Sequence, residues 1–244
     1  GQYSEIYMTG GHVQGGIYGG CNIYGTMSQN TLISITGGTV GRPDSTYIHI
    51  CGGGFGAETQ VDNNVDVTIG GTATVHGEVY GGSEMGLVNG TSYSANRHTY
   101  VTVNGGTING NVYGGGLGDA SNAANTYGKT TVSISNGTIN GNVFGCNNQN
   151  GHPFDQAVNV NVTGGTITGS VFGGGNNAAY TGNPQVLATG GTIGNVFGGG
   201  LGQGATVTGS PTVTVKSATT VEGNVYGGGN AATVTGNTNV TIGE

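Results

Sequence analysis

Residues 105–116 read GGTINGNVYGGG, and the rest of the chain is either a copy of this stretch or a connection between copies. Its valine-aromatic step recurs as Ile17 and Tyr18, Ile50 and Cys51, Val79 and Tyr80, Val112 and Tyr113, Val143 and Phe144, Val171 and Phe172, Val196 and Phe197, and Val225 and Tyr226. Successive copies lie 33, 29, 33, 31, 28, 25 and 29 residues apart, a period that marks a repeat architecture in which no unit buries its apolar residues alone.

The repeat is not helical. With 56 Gly among 244 residues, helical units would lose about 1 kcal/mol at each interior Gly relative to Ala. The apolar residues alternate instead, as at Val101 and Val103, Val132 and Ile134, Val158, Val160 and Val162, and Val213 and Val215. Alternation is the period of a strand. Each repeat offers three short strands, namely the V-x-V segment, the Thr-Ile pair after the double Gly and the N-V-Y segment, with a fourth in places such as 205–209. The GG and GGG runs supply corners that need positive φ or no side chain, and Gly does not fall at every third position as collagen requires.

Coiling this unit predicts an all-β fold: a right-handed parallel β-helix, or β-solenoid, of about eight turns of 25–33 residues, with 1–244 as a single repeat domain. Right-handedness is expected because such turns far exceed the roughly 18 residues of three hexapeptides. Turns would rise about 4.8 Å each, stacking equivalent residues into ladders. The apolar ladders are Val79, Val112, Val143, Val171, Val196 and Val225, and Ile108, Ile139, Ile167, Ile193 and Val221. Thr72, Thr107, Thr138, Thr166 and Thr192 form a hydroxyl ladder that breaks in turn eight, where Ala218 to Thr220 replace GGT. Asn111, Asn142, Asn195 and Asn224 form an amide ladder. Strict alternation puts Val inside and the aromatic outside, unless a Gly bend beside the aromatic turns it inward. Neither end carries an obvious cap, so the chain is expected to be a piece of a longer solenoid, with end-to-end contact to further repeats, or a piece that meets other domains.

Charge excludes some partners. Charged residues are 6% of the chain, four basic against eleven acidic, and Arg42, Arg97, Lys129 and Lys216 are isolated from one another, so no basic stripe exists for nucleic acid. No run of about 18 apolar residues provides a membrane span. Cys21, Cys51 and Cys146 occupy different ladder positions, which argues for free thiols and against a disulfide framework.

Length varies mainly between the GGG run and the next V-x-V strand, at 55–64, 83–98, 117–129, 146–157, 175–185 and 200–212, while Gly41 to Ser45 lengthens another corner as a turn. Such loops emerge along one edge and are the expected recognition surface. In its V-x-V, GGTI and GNVYGGG elements the repeat resembles the Gly-rich β-solenoid repeats of large bacterial cell-surface and secreted proteins, adhesin-like passengers included. The resemblance implies an extracellular, surface-displayed protein and assigns no ligand or catalytic residue.

Two sets of site residues stand out. Tyr18, Tyr80, Tyr113 and Tyr226, with Glu84, Arg97 and His98 of the longest connection, are candidates for binding a carbohydrate or a protein of a host or neighbouring cell, the tyrosines by stacking on sugar faces. His49 and Cys51 occupy the same strand copy as His76 and Glu78 one turn later, which are ligand types for a transition metal. A calcium ladder would need Gly-Gly-x-Gly-x-Asp in register, which residues 53–58 approach once and no other copy repeats, so no cofactor is expected. The expected function is a non-enzymatic structural or adhesin module. The competing reading is a carbohydrate-active β-helix, a polysaccharide lyase or hydrolase, which three or more acids converging in a groove would favour over an exposed tyrosine row.

Overall fold

A computed structural model describes residues 3–44 and 47–243; Ser45, the last residue of the expected corner turn, lies outside them. The described residues form an all-β solenoid of about eight turns whose strands pair in parallel with their equivalents one turn on. Each turn contributes to three faces. The first stacks Tyr3–Val13, Asn30–Val40, Val65–Ile69, His98–Ile108, Lys129–Ile139, Asn159–Val162, Gln185–Ala188, Thr212–Val215 and Asn239–Ile242 in unbroken succession.

The long strands turn a corner at their double Gly and continue onto the second face, where Thr39, Thr74, Thr107, Thr138, Thr166, Thr192 and Thr220 pair in series. Gly106 turns that corner in the left-handed region, at φ 72°, where a Cβ would be strained. This register corrects two expectations. Thr74, not Thr72, continues the hydroxyl ladder, because turn three carries two extra residues after its double Gly. The ladder also runs on to Thr220 in turn eight, since pairing follows the strand and not the missing glycines.

The third face stacks the valine-aromatic steps. Val79, Val112, Val143, Val171, Val196 and Val225 pair in register, as do the aromatics beside them. The corner that follows needs Gly for a different reason from Gly106. A Cβ on Gly114 would lie 2.3 Å from the carbonyl oxygen of Gly145, and one on Gly145 would lie 2.4 Å from that of Gly173. The turns are stacked too closely here for any side chain.

The valines and isoleucines of all three faces fill the coil as one core, with Ile33, Ile35, Val67, Val101, Ile108, Val132 and Val160 among the members sealed from solvent. Burying each such side chain contributes about 1.5–3 kcal/mol. The aromatics point away from this core, as alternation requires, but they are not exposed. Tyr80, Tyr113, Phe144 and Phe172 are all at most 1% accessible and make a second core with Cys51 and Phe197. The expectation that they face solvent is therefore corrected, and the cause is the chain after each GGG run. It folds back over them, and Leu117 and Leu201 pack on the column. Ring centroids from Tyr80 to Tyr226 are 4.7–4.9 Å apart with planes within 9° of parallel, so ring spacing is set by strand spacing.

The loops are partly ordered by the same stacking. Tyr24–Met27, Glu58–Val61 and Leu87–Val88 pair as a small sheet, and Tyr180–Thr181 pairs with Val207–Thr208, the fourth strand expected within 205–209. Cys21, Cys51 and Cys146 are free. No helix among the described residues is long and apolar enough to cross a membrane.

Candidate functional site

The polar residues worth attention lie where the loops cover the aromatic column. Tyr18 donates to Glu84 Oε2 at 2.7 Å, Asn148 Nδ2 donates to the Tyr80 hydroxyl at 2.8 Å, and Asn176 Nδ2 donates to the Tyr113 hydroxyl at 3.4 Å. Glu84, Asn148 and Asn176 are equivalent residues, each the first after the Gly corner, and each stands two turns beyond the tyrosine it meets. The phenol is the polar end of a buried ring, and the loop supplies its partner.

Glu78 joins these contacts into a closed circuit. It accepts from the Tyr80 hydroxyl through Oε2 and from Asn111 Nδ2 at 2.7 Å through Oε1. Asn111 also donates to Tyr113 at 3.2 Å, and Asn176 donates to Asn148 Oδ1 at 3.0 Å. Burial, with the Glu78 carboxylate next in weight, pushes the Tyr80 and Tyr113 phenols well above their ordinary range. Burial and then the bond to Glu84 do the same to Tyr18. The Tyr18 and Tyr80 hydroxyls donate, to Glu84 and Glu78, while that of Tyr113 accepts from Asn111 and Asn176. Beyond Asn111 the amide ladder acts on the backbone: Asn111 Oδ1 accepts from the Asn142 N–H and Asn142 Oδ1 from the Ser170 N–H, both at 2.8 Å.

Beside the circuit, His49 Nδ1 lies 3.0 Å from Glu84 Oε2, and its ring meets Tyr80 edge-on at 5.4 Å. His49, Glu78 and Glu84, with Tyr47, Leu117, Asp119, Asn148 and Gln149, line a cavity of about 290 Å³. Asp119 is held by its own loop, accepting from the Ser121 and Asn122 N–H groups at 2.8 and 2.7 Å and from Asn122 Nδ2 at 3.0 Å. Those bonds, the Asn122 side chain first, hold its carboxyl below the usual range.

The structure thus gathers Tyr18, Tyr80, Tyr113, Glu84, His49 and Glu78 in one neighbourhood, but in other roles than expected. Tyr80 and Tyr113 are sealed and offer no face to a sugar. His49 does stack on Glu78 in register, yet its nitrogen turns to Glu84. Cys51 is buried in the aromatic column, where desolvation raises its thiol well above the normal range and disfavours the thiolate that a metal needs. His76 Nδ1 accepts from Asn109 Nδ2 at 2.9 Å instead of joining the others. Among the described residues no three His, Cys, Asp or Glu side chains are placed to hold a metal ion.

Three candidates lie elsewhere. Arg97 donates to the Asn89 carbonyl at 2.7 Å and braces its own loop. His98 pairs with Asp66 at 3.2 Å and stacks on Tyr100 at 4.0 Å. Tyr226, 45% exposed, closes the column over Phe197 and lines a separate cavity with Ser170 and Asn195. Asp119, Asn148 and Gln149 belong to the site without having been singled out for it. For Asn148 the signal was the slot after the Gly corner, which holds Glu84, Leu117, Asn148 and Asn176 in consecutive turns; Gln149 and Asp119 follow that slot by one and two residues.

Comparison with protein-family models, with curated proteins and with solved structures gave no match.

Proposed function

We propose that this chain is a non-enzymatic module of the cell surface or the secreted space, a stiff solenoid whose loop edge serves for recognition. The observation that carries the reading is the commitment of the acids at the cavity to the framework. Glu78 accepts from Tyr80 and Asn111, Glu84 from Tyr18 while facing His49, and Asp119 from Ser121 and Asn122. A glycosidase needs one carboxyl free to give a proton and another free to activate water or attack. A lyase acting on an acidic polysaccharide needs cationic charge against the developing negative charge, and no Arg or Lys lines the cavity. The extracellular placement rests on the resemblance of the repeat.

The carbohydrate-active alternative draws support from one fact, that His49 and three acids line a single cavity. Both readings are tested with the purified chain on a broad glycan array, with and without divalent metal, and by assaying the bound glycans for new reducing ends or unsaturated products. Binding without turnover supports the module. Turnover lost in Glu84→Gln would replace it with the enzyme, and silence on the array removes recognition of glycans.

A further inference from the structure

The cavity beside His49 does not end at Gln149. A second cavity of about 580 Å³ continues from it through Asp119, Asn148 and Gln149, and a third of about 460 Å³ continues from that through Gln149, Asn150 and Asn177 to His152 and Gly204. The three are one groove, each part within the size of a small-molecule site. It crosses the loops of turns three to seven, four turn spacings or about 19 Å along the solenoid axis.

We propose that this groove binds a saccharide chain free of acid groups, lying along the loop edge with Gln149 at its centre. The inference rests on the recognition reading above and names its ligand class. Half of the polar lining is primary amides, and they are all of it at the centre except Asp119, each a paired donor and acceptor matching the hydroxyls of a sugar. Several are set in place by the framework: Asn148 by Tyr80, Asn176 by Asn148, and Asn150 by the Asp119 carbonyl at 2.7 Å. Such fixed partners lower the ordering cost of binding. Gln149 lines all three parts, is exposed, and its side chain makes no hydrogen bond among the described residues. Neither Arg nor Lys lines any part, whereas Glu78, Glu84 and Asp119 line the end beside His49. Uronates and sulfated sugars would meet repulsion without compensation. Tyr47, 88% exposed, stands at that end as a ring on which a sugar face can stack.

The test is calorimetric titration of the whole chain with chitohexaose, cellohexaose and oligogalacturonate, in the parent and in Gln149→Ala, Gln149→Trp and Tyr47→Ala. Circular dichroism and melting confirm that each variant folds. At least one acid-free hexasaccharide should bind, oligogalacturonate should not, and Gln149→Trp should weaken binding at least tenfold by filling the groove. Preference for oligogalacturonate overturns the ligand class. Acid-free binding unchanged in Gln149→Trp places the ligand outside the groove and overturns the site while leaving recognition intact. If none of the three binds but the array finds other glycans, the ligand class falls alone; if the array is also silent, the recognition reading falls with it.

Discussion

The ring of Tyr113 lies parallel to that of Tyr80, with centroids 4.8 Å apart and planes within 6°, yet their hydroxyls are served by different turns. Tyr80 takes Asn148 and Tyr113 takes Asn176, each two turns ahead. The same offset from Phe144 falls on Leu201, which packs on the column. A tyrosine in the column therefore meets a polar residue at this offset, whereas the same offset from a phenylalanine falls on either kind, Leu201 for Phe144 and Asn230 for Phe172.

That relation predicts a compensating pair. Phe144→Tyr places a hydroxyl beneath Leu201 and should destabilise by about 1–3 kcal/mol, the range for a buried polar group without a partner. Adding Leu201→Asn should restore much of the loss. Urea midpoints of the two single variants and the double variant measure the coupling, and simple additivity would refute the offset. Phe144→Ala, which leaves a cavity between two stacked rings, should cost about 3–5 kcal/mol.

The Gly corner makes a prediction that needs no polar group. Gly114→Ala would put a Cβ 2.3 Å from the Gly145 carbonyl oxygen, and only movement of stacked backbone relieves the clash. A cost of about 1–3 kcal/mol is expected, as for other overpacked sites. At Gly15 a Cβ meets nothing within 4 Å, so Gly15→Ala should stay within about 0.5 kcal/mol of the parent. Thermal melts of the two compare them directly.

Removing the acceptor of the polar circuit should separate charge from hydrogen bonding. Glu78→Ala deprives the Tyr80 hydroxyl and Asn111 of their acceptor and is expected to cost about 1–3 kcal/mol for each group left unsatisfied. Glu78→Gln keeps one acceptor oxygen and should cost less. Equal melting temperatures for the two variants would show that these bonds contribute nothing.

The raised phenols set a pH dependence. Tyr80 and Tyr113 keep their protons in the folded chain above the pH at which an unfolded tyrosine loses its own, near 10. Below that pH their contribution is fully present. Above it the unfolded chain binds fewer protons than the folded one, so stability falls as pH rises, by up to about 1.4 kcal/mol per pH unit for each such tyrosine. Urea unfolding between pH 9 and 12, with phenolate absorbance recorded alongside, should show this fall, and Tyr80→Phe with Tyr113→Phe should make it less steep, leaving the part due to Tyr18 and Tyr180.

The coil itself was legible in the chain because its determinants are local. The alternation at Val101 and Val103, the spacing of the valine-aromatic steps and the Gly corners each sit within one repeat, and the ladders they predict pair residue for residue from Val79 to Val225. Thr72 was misplaced because two extra residues in turn three can be absorbed on either side of it, and only pairing with Thr107 decides for Thr74. The burial of Tyr80 and Tyr113 was not legible for a different reason. It depends on loop residues more than 60 positions further along, and alternation says which way a side chain leaves the sheet but not what lies above it. The site shifted for the same cause: His49 and Glu78 are in register as read, but Glu84 arrives from a loop and takes the imidazole.

Because the hydroxyls of Tyr18, Tyr80 and Tyr113 each bond a residue two turns ahead, the near-identical repeats are not interchangeable parts. Excising the whole of turn five would keep every strand in register and every valine in its ladder. It would also slide the later loops back by one place, so that Tyr113 met Leu201 while Asn176 moved onto Tyr80. A lineage that lengthens or shortens this array by recombination between repeats therefore inherits a constraint that no single repeat displays: gains and losses that keep a polar residue two turns ahead of each buried tyrosine should persist, and the others should be weeded out.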